Sequence, residues 1–294
     1  MQTLDLKGFD GTTLLGFLAA CGAMRLLDAV SRPGSASLGF DRATGHARLR
    51  GTGDLRAALE RALLDPALAE VWTFRNEAGE AYAQPSEMPA AETKRLLKAR
   101  LETSLRSFDA RLEIDALSAL VAGEPDENEM SESTELRAVG GGQLQYFGQI
   151  TALFEELTQA NVRGTLDDLW AHSDEKGGLR LSVAEDRSYA LRASDPSPEG
   201  AQGERAANIL ALIGHQFFPV LAQRGGATVG FDQAENTLTW PLWEPFAGVA
   251  TVASLLRIRL SAAELAPRGV FRVMRSRRVT RGKYRNFSPA VAIG

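Results

Sequence analysis

The pattern of hydrophobic and polar residues predicts a chain in which short strands alternate with helices. Residues 4–9 alternate as a strand does, and residues 14–30 are apolar on nearly every face, which predicts a buried helix. Residues 36–40 and 46–50 predict a hairpin, and Asp54 is placed to cap the helix that follows. The chain therefore begins as a mixed α and β structure.

A long helical pattern and an acidic stretch come next. Apolar residues recur at three- and four-residue steps over residues 91–120, with an interruption expected near residues 107–109. Residues 123–135 hold six acids and are too polar to be ordered by burial, so we expect an exposed or mobile loop. We divide the chain into an N-terminal α+β lobe at 1–122, an acidic loop or linker at 123–138, and a C-terminal α+β lobe with a basic end at 139–294.

The C-terminal lobe also mixes strands and helices. Its predicted elements are a helix at 144–159, strands at 179–183 and 189–192, a helix at 204–218, a hairpin of 228–231 with 237–240, helices at 245–259 and 261–265, and a strand at 269–274. No repeat of fixed period is present, which argues against solenoids and propellers. We expect an α+β fold of two packed lobes with helices and short antiparallel strands or hairpins.

Charge changes this picture because it is unevenly distributed. The 294 residues include 33 Lys plus Arg and 37 Asp plus Glu, for a formal net charge of -4. Residues 265–294 contain eight basic residues and no acid, which leaves the rest of the chain at -12. A basic segment on an acidic body indicates a polyanionic partner more strongly than the net charge does.

The basic segment carries the most specific chemical signal in the chain. Its basic residues alternate with apolar ones, so apolar side chains can anchor it while guanidinium groups face a polyanion. Seven arginines against one lysine favour bidentate phosphate contacts and stacking on bases. The predicted nucleic-acid-binding residues are Arg268, Arg272, Arg275, Arg277, Arg278, Arg281, Lys283 and Arg285. The alternative is a solvated basic edge, or one paired with acids elsewhere in the chain.

A glycine run before a predicted helix offers a second candidate contact. Residues 140–142 are glycines, and such a loop can present backbone N–H groups to a phosphate. The run matches neither a Walker A loop nor the Rossmann spacing. We add Gly141, Gly142, Gln143 and Gln145 to the predicted nucleic-acid-binding residues. The alternative is a flexible hinge after the acidic loop.

Nothing in the sequence predicts catalysis, a metal site or a cofactor. His46, His172 and His215 stand far apart, without a second ligand at metal-binding spacing. We interpret His172, which lies beside two acids, as a lone exposed loop histidine. The single cysteine, Cys21, excludes an internal disulfide and predicts an inert core thiol in a reducing compartment. Trp240 and Trp243 stand between two prolines, and we favour a core seam over a partner interface for them.

Several segments resemble those of a CRISPR-associated family. They are LGFLAA (15–20), MRLL (24–27), DRSYALR (186–192), DPS (195–197), ANILA (207–211), FFP (217–219), WPLW (240–243), VMRSRR (273–278) and GKYRNFSP (282–289). The resemblance is to a subunit of type I-G (formerly I-U) systems that is similar to the large subunit of the Cascade surveillance complex. It touches both ends of the chain.

This resemblance implies a non-catalytic subunit of an RNA-guided antiviral complex. Such a subunit would bind CRISPR guide RNA or target double-stranded DNA, help to recognise the protospacer-adjacent motif, and recruit a helicase-nuclease beside other Cascade subunits. The first residues lack the pattern of a signal peptide, so we expect a cytoplasmic protein with no membrane partner. Two other classes stay open: a protein–protein scaffold whose basic segment docks on an acidic partner, and an enzyme that uses the His172 region.

Overall fold

The structure, a computed structural model, describes most of the chain and shows an α+β fold. The described residues are 1–104, 109–123, 130–137, 146–174, 177–182, 203–221, 227–258, 260–281 and 284–293. The α-helices are α1 (Leu14–Val30), α2 (Leu55–Leu63), α3 (Pro66–Val71), α4 (Ala90–Ser104), α5 (Asp109–Leu120), α6 (Tyr146–Glu155), α7 (Gln159–Asp167), α8 (Arg205–Gly214), α9 (Val249–Arg257) and α10 (Ala262–Leu265). The strands are β1 (Gln2–Asp10), β2 (Ser37–Phe40), β3 (His46–Gly51), β4 (Val121–Ala122), β5 (Glu132–Ser133), β6 (Val220–Leu221), β7 (Ala227–Thr228), β8 (Phe231–Asp232), β9 (Thr237–Trp243), β10 (Ala247–Gly248), β11 (Val270–Arg281), β12 (Tyr284–Phe287) and β13 (Val291–Ala292).

The first sheet joins distant parts of the chain. Its strands are antiparallel in the order β1-β3-β2-β10. Leu6, Leu38 and Leu49 on its inner face are fully buried in the core that contains α1. The predicted first strand, the hairpin of β2 with β3, and the helix capped by Asp54 are all confirmed.

The second sheet has the order β12-β11-β9-β8, with β13 also paired to β11. Trp240 and Trp243 of β9 are buried, so the prediction that they form a core seam is confirmed. Each indole N–H donates to a backbone carbonyl of the N-terminal part of the chain, Trp240 to Gly11 at 2.9 Å and Trp243 to Leu38 at 2.8 Å. The seam therefore fixes the second sheet against the first.

Helices α1 and α8 form the centre of the core. Every residue of α1 except Val30 is buried, as the apolar pattern predicts, and Thr13 caps its N-terminus by accepting from the N–H of Gly16. All ten residues of α8 are buried too. One hydrophobic cluster contains residues from both predicted lobes, and their boundary at 123–138 stays a prediction. Within the described part of the chain, no helix is long and apolar enough to cross a bilayer.

The described end of the acidic stretch, residues 130–135, is packed into the fold, contrary to the expectation of an exposed or mobile loop. Residues 124–129 lie outside the described residues, but β5 pairs with β4, and Glu135 is buried. The Glu135 carboxylate accepts from the backbone N–H of Thr228 at 2.8 Å and from the side-chain amide of Gln233 at 2.7 Å. Burial alone would raise the pKa of Glu135, but these hydrogen bonds outweigh it and lower the pKa. Specific polar partners order this segment, which composition does not reveal.

Three predicted elements of the C-terminal half differ in the structure. The helix predicted from residue 245 begins at Val249, because Ala247–Gly248 pair with β2 as a short strand. The second hairpin begins with β8 rather than at residues 228–231, because Gly230 adopts a φ of 81° and turns the chain before Phe231. The described residues of the strand predicted at 179–183 are not extended in a sheet, while 189–192 lie outside the described residues.

Candidate nucleic-acid interface

The basic segment folds as a long strand and a short hairpin partner. β11 pairs with β9 over residues 270–277 and with β12 over residues 278–281. Val273, Met274 and Phe287 are buried and anchor it to the core. The strand therefore continues past the last β9 pair and ends as a two-stranded hairpin with β12. We call residues 275–281 together with 284–287 the basic ribbon.

Arg275 and Arg277 lie on the outer face of the basic ribbon. Alternate residues of a strand point to the same face, and both side chains are exposed. Arg275 Nε donates to Thr239 Oγ1 on β9 at 3.2 Å, which orients its guanidinium along the strand. Within the described residues, neither arginine forms an ion pair. Both guanidinium groups keep donors for an external anion.

Arg278 lies on the opposite face of β11 and forms hydrogen bonds within the protein. Its Nη1 donates to the carbonyl of Glu135 at 2.9 Å, and its Nη2 donates to Asn236 Oδ1 at 3.3 Å. Its Cζ lies 4.9 Å from the centroid of the Phe231 ring, which is a cation–π contact. Arg278 therefore ties the basic ribbon to the segment around Glu135, and its charge is partly used inside the protein.

Arg137, Arg278 and Arg285 form a cluster of three arginines. Burial lowers the pKa of Arg278, and the charges of Arg285 and Arg137 lower it further. Burial also lowers the pKa of Arg137; Tyr146 opposes this shift and Arg285 adds to it. Glu135 is the acid that counters the cluster at Arg278. An anion bound here would relieve the repulsion between like charges.

One member of the arginine cluster, Arg137, precedes the glycine run in the sequence. Arg137 ends one described segment and Tyr146 begins the next, so the two residues bracket residues 138–145. The Tyr146 side chain is buried, and its hydroxyl has no hydrogen-bond partner among the described residues. The predicted contacts Gly141, Gly142, Gln143 and Gln145 lie outside the described residues. Sequence reasoning missed Arg137, although its position three residues before Gly140 was a usable signal.

Of the remaining predicted basic residues, Arg268 is exposed, Arg272 is half-buried, and the other two side chains lie outside the described residues. Arg268 donates from Nη1 to the carbonyl of Glu264 at 2.5 Å and so satisfies the C-terminal end of α10. Arg272 is half-buried, with its Cζ 6.0 Å from the centroid of the Phe271 ring. Lys283 and the side chain of Arg281 lie outside the described residues. The structure thus places the predicted residues in different environments.

Two histidines that are distant in sequence line one pocket. Between Leu6 and Asp10, β1 bulges out of register with β3, and a pocket of about 320 Å³ opens beside His46, His172, Lys7 and Trp170. His172 is half-buried, and burial lowers its pKa against the opposing charge of Glu204. His172 lies in a loop as predicted, but the interpretation of it as lone and exposed is wrong, because it is half-buried and lines the same pocket as His46.

The other candidate groups of the sequence are buried. Cys21 is fully buried in α1, and burial raises the pKa of its thiol, as expected for an inert core residue. His215 is fully buried, and burial lowers its pKa to about 3. In the part of the chain that the structure describes, no three His, Cys, Asp or Glu side chains are grouped to bind a metal ion.

The fold and the basic ribbon define an α+β protein with an arginine-bearing β surface next to a half-buried arginine cluster. Comparisons of the chain with protein-family models, with curated proteins and with solved structures find no match in any of the three.

Proposed function

We propose that this protein is a non-catalytic, nucleic-acid-binding subunit of a CRISPR RNA-guided surveillance complex in antiviral defence. In this role the basic ribbon contacts phosphates of the guide RNA or of target DNA, beside other Cascade subunits. Help in recognising the protospacer-adjacent motif and in recruiting a helicase-nuclease belongs to the same proposal. The resemblance of the sequence segments supports the type of complex, and the basic ribbon supports the ligand.

The observation that carries the proposal is the exposed pair Arg275 and Arg277 on the outer face of β11. A strand spaces these two side chains by about 7 Å on one face, which suits contacts to successive anionic groups on an extended polymer. Arg137 and Arg285 add positive charge on the opposite face of the same strands, beside Arg278. Because the chain outside residues 265–294 carries a net charge of -12, nonspecific adhesion elsewhere is disfavoured and phosphates are directed to this surface.

The test is the salt dependence of nucleic-acid binding by the full chain. Fluorescence anisotropy with labelled single-stranded RNA and duplex DNA over a potassium chloride series gives log Kd against log salt. The double variant Arg275→Gln with Arg277→Gln should lower the slope by about 1.4 for the single strand and about 1.8 for the duplex. Arg278 is left intact, because its loss would disturb the Glu135 segment.

The matched control is the double variant Arg61→Gln with Arg257→Gln. It removes the same charge from two exposed positions on α2 and α9. The proposal predicts that the slope of log Kd against log salt is smaller for the ribbon variant than for wild type, and that the control variant keeps the wild-type slope. Equal slopes for wild type and ribbon variant would refute the ribbon as the phosphate contact. Binding of an acidic protein by a chain that ignores RNA and DNA would favour the scaffold function instead.

The assignment to a surveillance complex has a separate test. The tagged full chain, purified from its native host under mild conditions, should carry small RNAs with a shared repeat-derived end and should bring down other subunits. A protein that binds nucleic acid in vitro but carries no such RNA would keep the ribbon assignment and remove the CRISPR one.

A further inference from the structure

The outer face of the first sheet carries a second group of arginines, apart from the basic ribbon. Along β3, Ala47 and Leu49 point into the core, so His46, Arg48 and Arg50 point to the opposite face. Each of these three is partly exposed. On β1, Asp5 lies opposite Arg48 and Thr3 lies opposite Arg50. The side chains of this outer face are therefore partly open to solvent, whereas those of the inner face are buried.

An aromatic ring lies under two of these arginines. The Cζ of Arg50 is 3.7 Å from the centroid of the Phe246 ring, and the Cζ of Arg48 is 5.7 Å from it. Gly39 pairs with Arg48 on the neighbouring strand, and a Cβ there would lie 2.7 Å from the carbonyl oxygen of Glu244, so the backbone that leads to Phe246 passes close to this strand. Phe246 is itself partly exposed. The guanidinium and the phenyl ring hold each other in place by this contact. Binding a ligand here therefore costs less side-chain entropy than binding to two mobile side chains would.

Acids partly balance two of the basic side chains near this face. Asp41 interacts electrostatically with Arg48, and Asp167 does so with the exposed Lys7, whereas Arg50 lies opposite the uncharged Thr3. Among the described residues, neither Arg48 nor Arg50 forms an ion pair. The face therefore combines positive charge with stacked planar groups.

We propose that this face binds a single-stranded stretch of nucleic acid by base stacking, a proposal that rests on the proposed nucleic-acid function. A base stacks on the Arg50 and Phe246 pair, and Arg48 and Lys7 contact the flanking phosphates. Base faces are open in a single strand but are covered by neighbours in a duplex, so this surface selects single strands. The basic ribbon, which contacts phosphates, has no such selectivity.

The experiment compares three ligands on the full chain by fluorescence anisotropy. The ligands are a short oligouridine, an abasic oligomer with the same phosphates, and duplex DNA. Phe246→Leu removes the aromatic ring but keeps an apolar side chain, and Arg50→Lys keeps the charge but removes the planar group. Both should weaken oligouridine binding by roughly fivefold or more and leave duplex and abasic binding unchanged. Arg61→Lys on α2 is the matched control.

The outcomes separate this proposal from the ribbon. Weakened oligouridine binding in both sheet variants, with wild-type thermal unfolding, supports stacking on the sheet face. Wild-type affinity for oligouridine in Arg50→Lys overturns it, whatever Phe246→Leu does to folding. If the double variant at Arg275 and Arg277 alone loses binding, the sheet face is refuted and the ribbon stands. If the sheet variants alone lose binding, the ribbon is refuted and the sheet face stands. A wild-type chain that binds none of the three ligands overturns both.

Discussion

The contact between α1 and α8 allows a stringent test of the fold, because the two helix backbones touch through glycine. A Cβ added at Gly22 would lie 1.7 Å from the carbonyl oxygen of Leu210, and one added at Gly214 would lie 2.1 Å from the carbonyl oxygen of Leu18. Real Cβ atoms do not approach other heavy atoms within 3.0 Å. The variant Gly22→Ala therefore requires the helices to separate locally by about 1.3 Å.

The cost follows from where this separation occurs. Both helices are buried along nearly their whole lengths, so a shift disturbs the packing of the central core. Overpacking costs about 1–3 kcal/mol, and the obstacle at Leu210 is backbone that no rotamer change can remove. Alanine regains about 1 kcal/mol of helix propensity over glycine. Because the obstacle is backbone, we take the upper end of the overpacking range, about 3 kcal/mol, and expect a net loss of about 2 kcal/mol in the free energy of unfolding.

Urea unfolding followed by tryptophan fluorescence measures this loss, since Trp240 and Trp243 report on the core. The matched control is Gly164→Ala in α7, where an added Cβ would have no neighbour within 4 Å. That variant should keep or raise stability, by about 0.4–1 kcal/mol. A Gly22→Ala protein with the wild-type urea midpoint, or an equal loss in Gly164→Ala, would contradict the close packing of α1 on α8.

Three further predictions concern buried polar side chains. The unfolded chain protonates His215 near its ordinary pKa of 6.5 and the folded chain only near 3, so stability should fall as the pH drops through this window, by about 1.4 kcal/mol per pH unit. His215→Leu should remove that slope in urea unfolding between about pH 7 and about pH 4, and an unchanged slope would refute the assignment. Arg205 ion-pairs with Asp174 at 2.7 Å and Glu156 at 2.8 Å. Arg205→Ala should lower the free energy of unfolding by about 3 kcal/mol, which is the lower end of the range for breaking a buried ion pair, because Glu156 is half-exposed. A wild-type urea midpoint would contradict this prediction. Arg278→Met should lower the thermal midpoint, because the lost hydrogen bonds are worth about 1–3 kcal/mol, whereas Arg275→Gln should leave the midpoint unchanged. Equal midpoints for the two variants would contradict a structural role for Arg278 and a surface role for Arg275.

The sequence predicts elements whose signals are local and misses those that depend on distant partners. Helix α1 is predicted in full because its apolar pattern and its threonine cap both lie within the element. Strand β10 has only two residues, Ala247 and Gly248, and becomes a strand because β2 lies beside it. The pocket shared by His46 and His172 depends on a bulge in β1, which residue spacing does not reveal. Long-range pairing, rather than weak propensity, accounts for these omissions.

The basic segment shows the same limit of sequence-based prediction. Composition gives its eight basic residues one common role, whereas strand geometry places them on different faces with different contacts. Arg275 and Arg277 face outward by alternation, while Arg278 faces inward and binds the carbonyl of Glu135, two residues before Arg137. That bond ties residues 135–137, the last described residues before the glycine run in the sequence, to β11. A ligand that moves β11 at Arg278 must also act on the segment that leads into the glycine run.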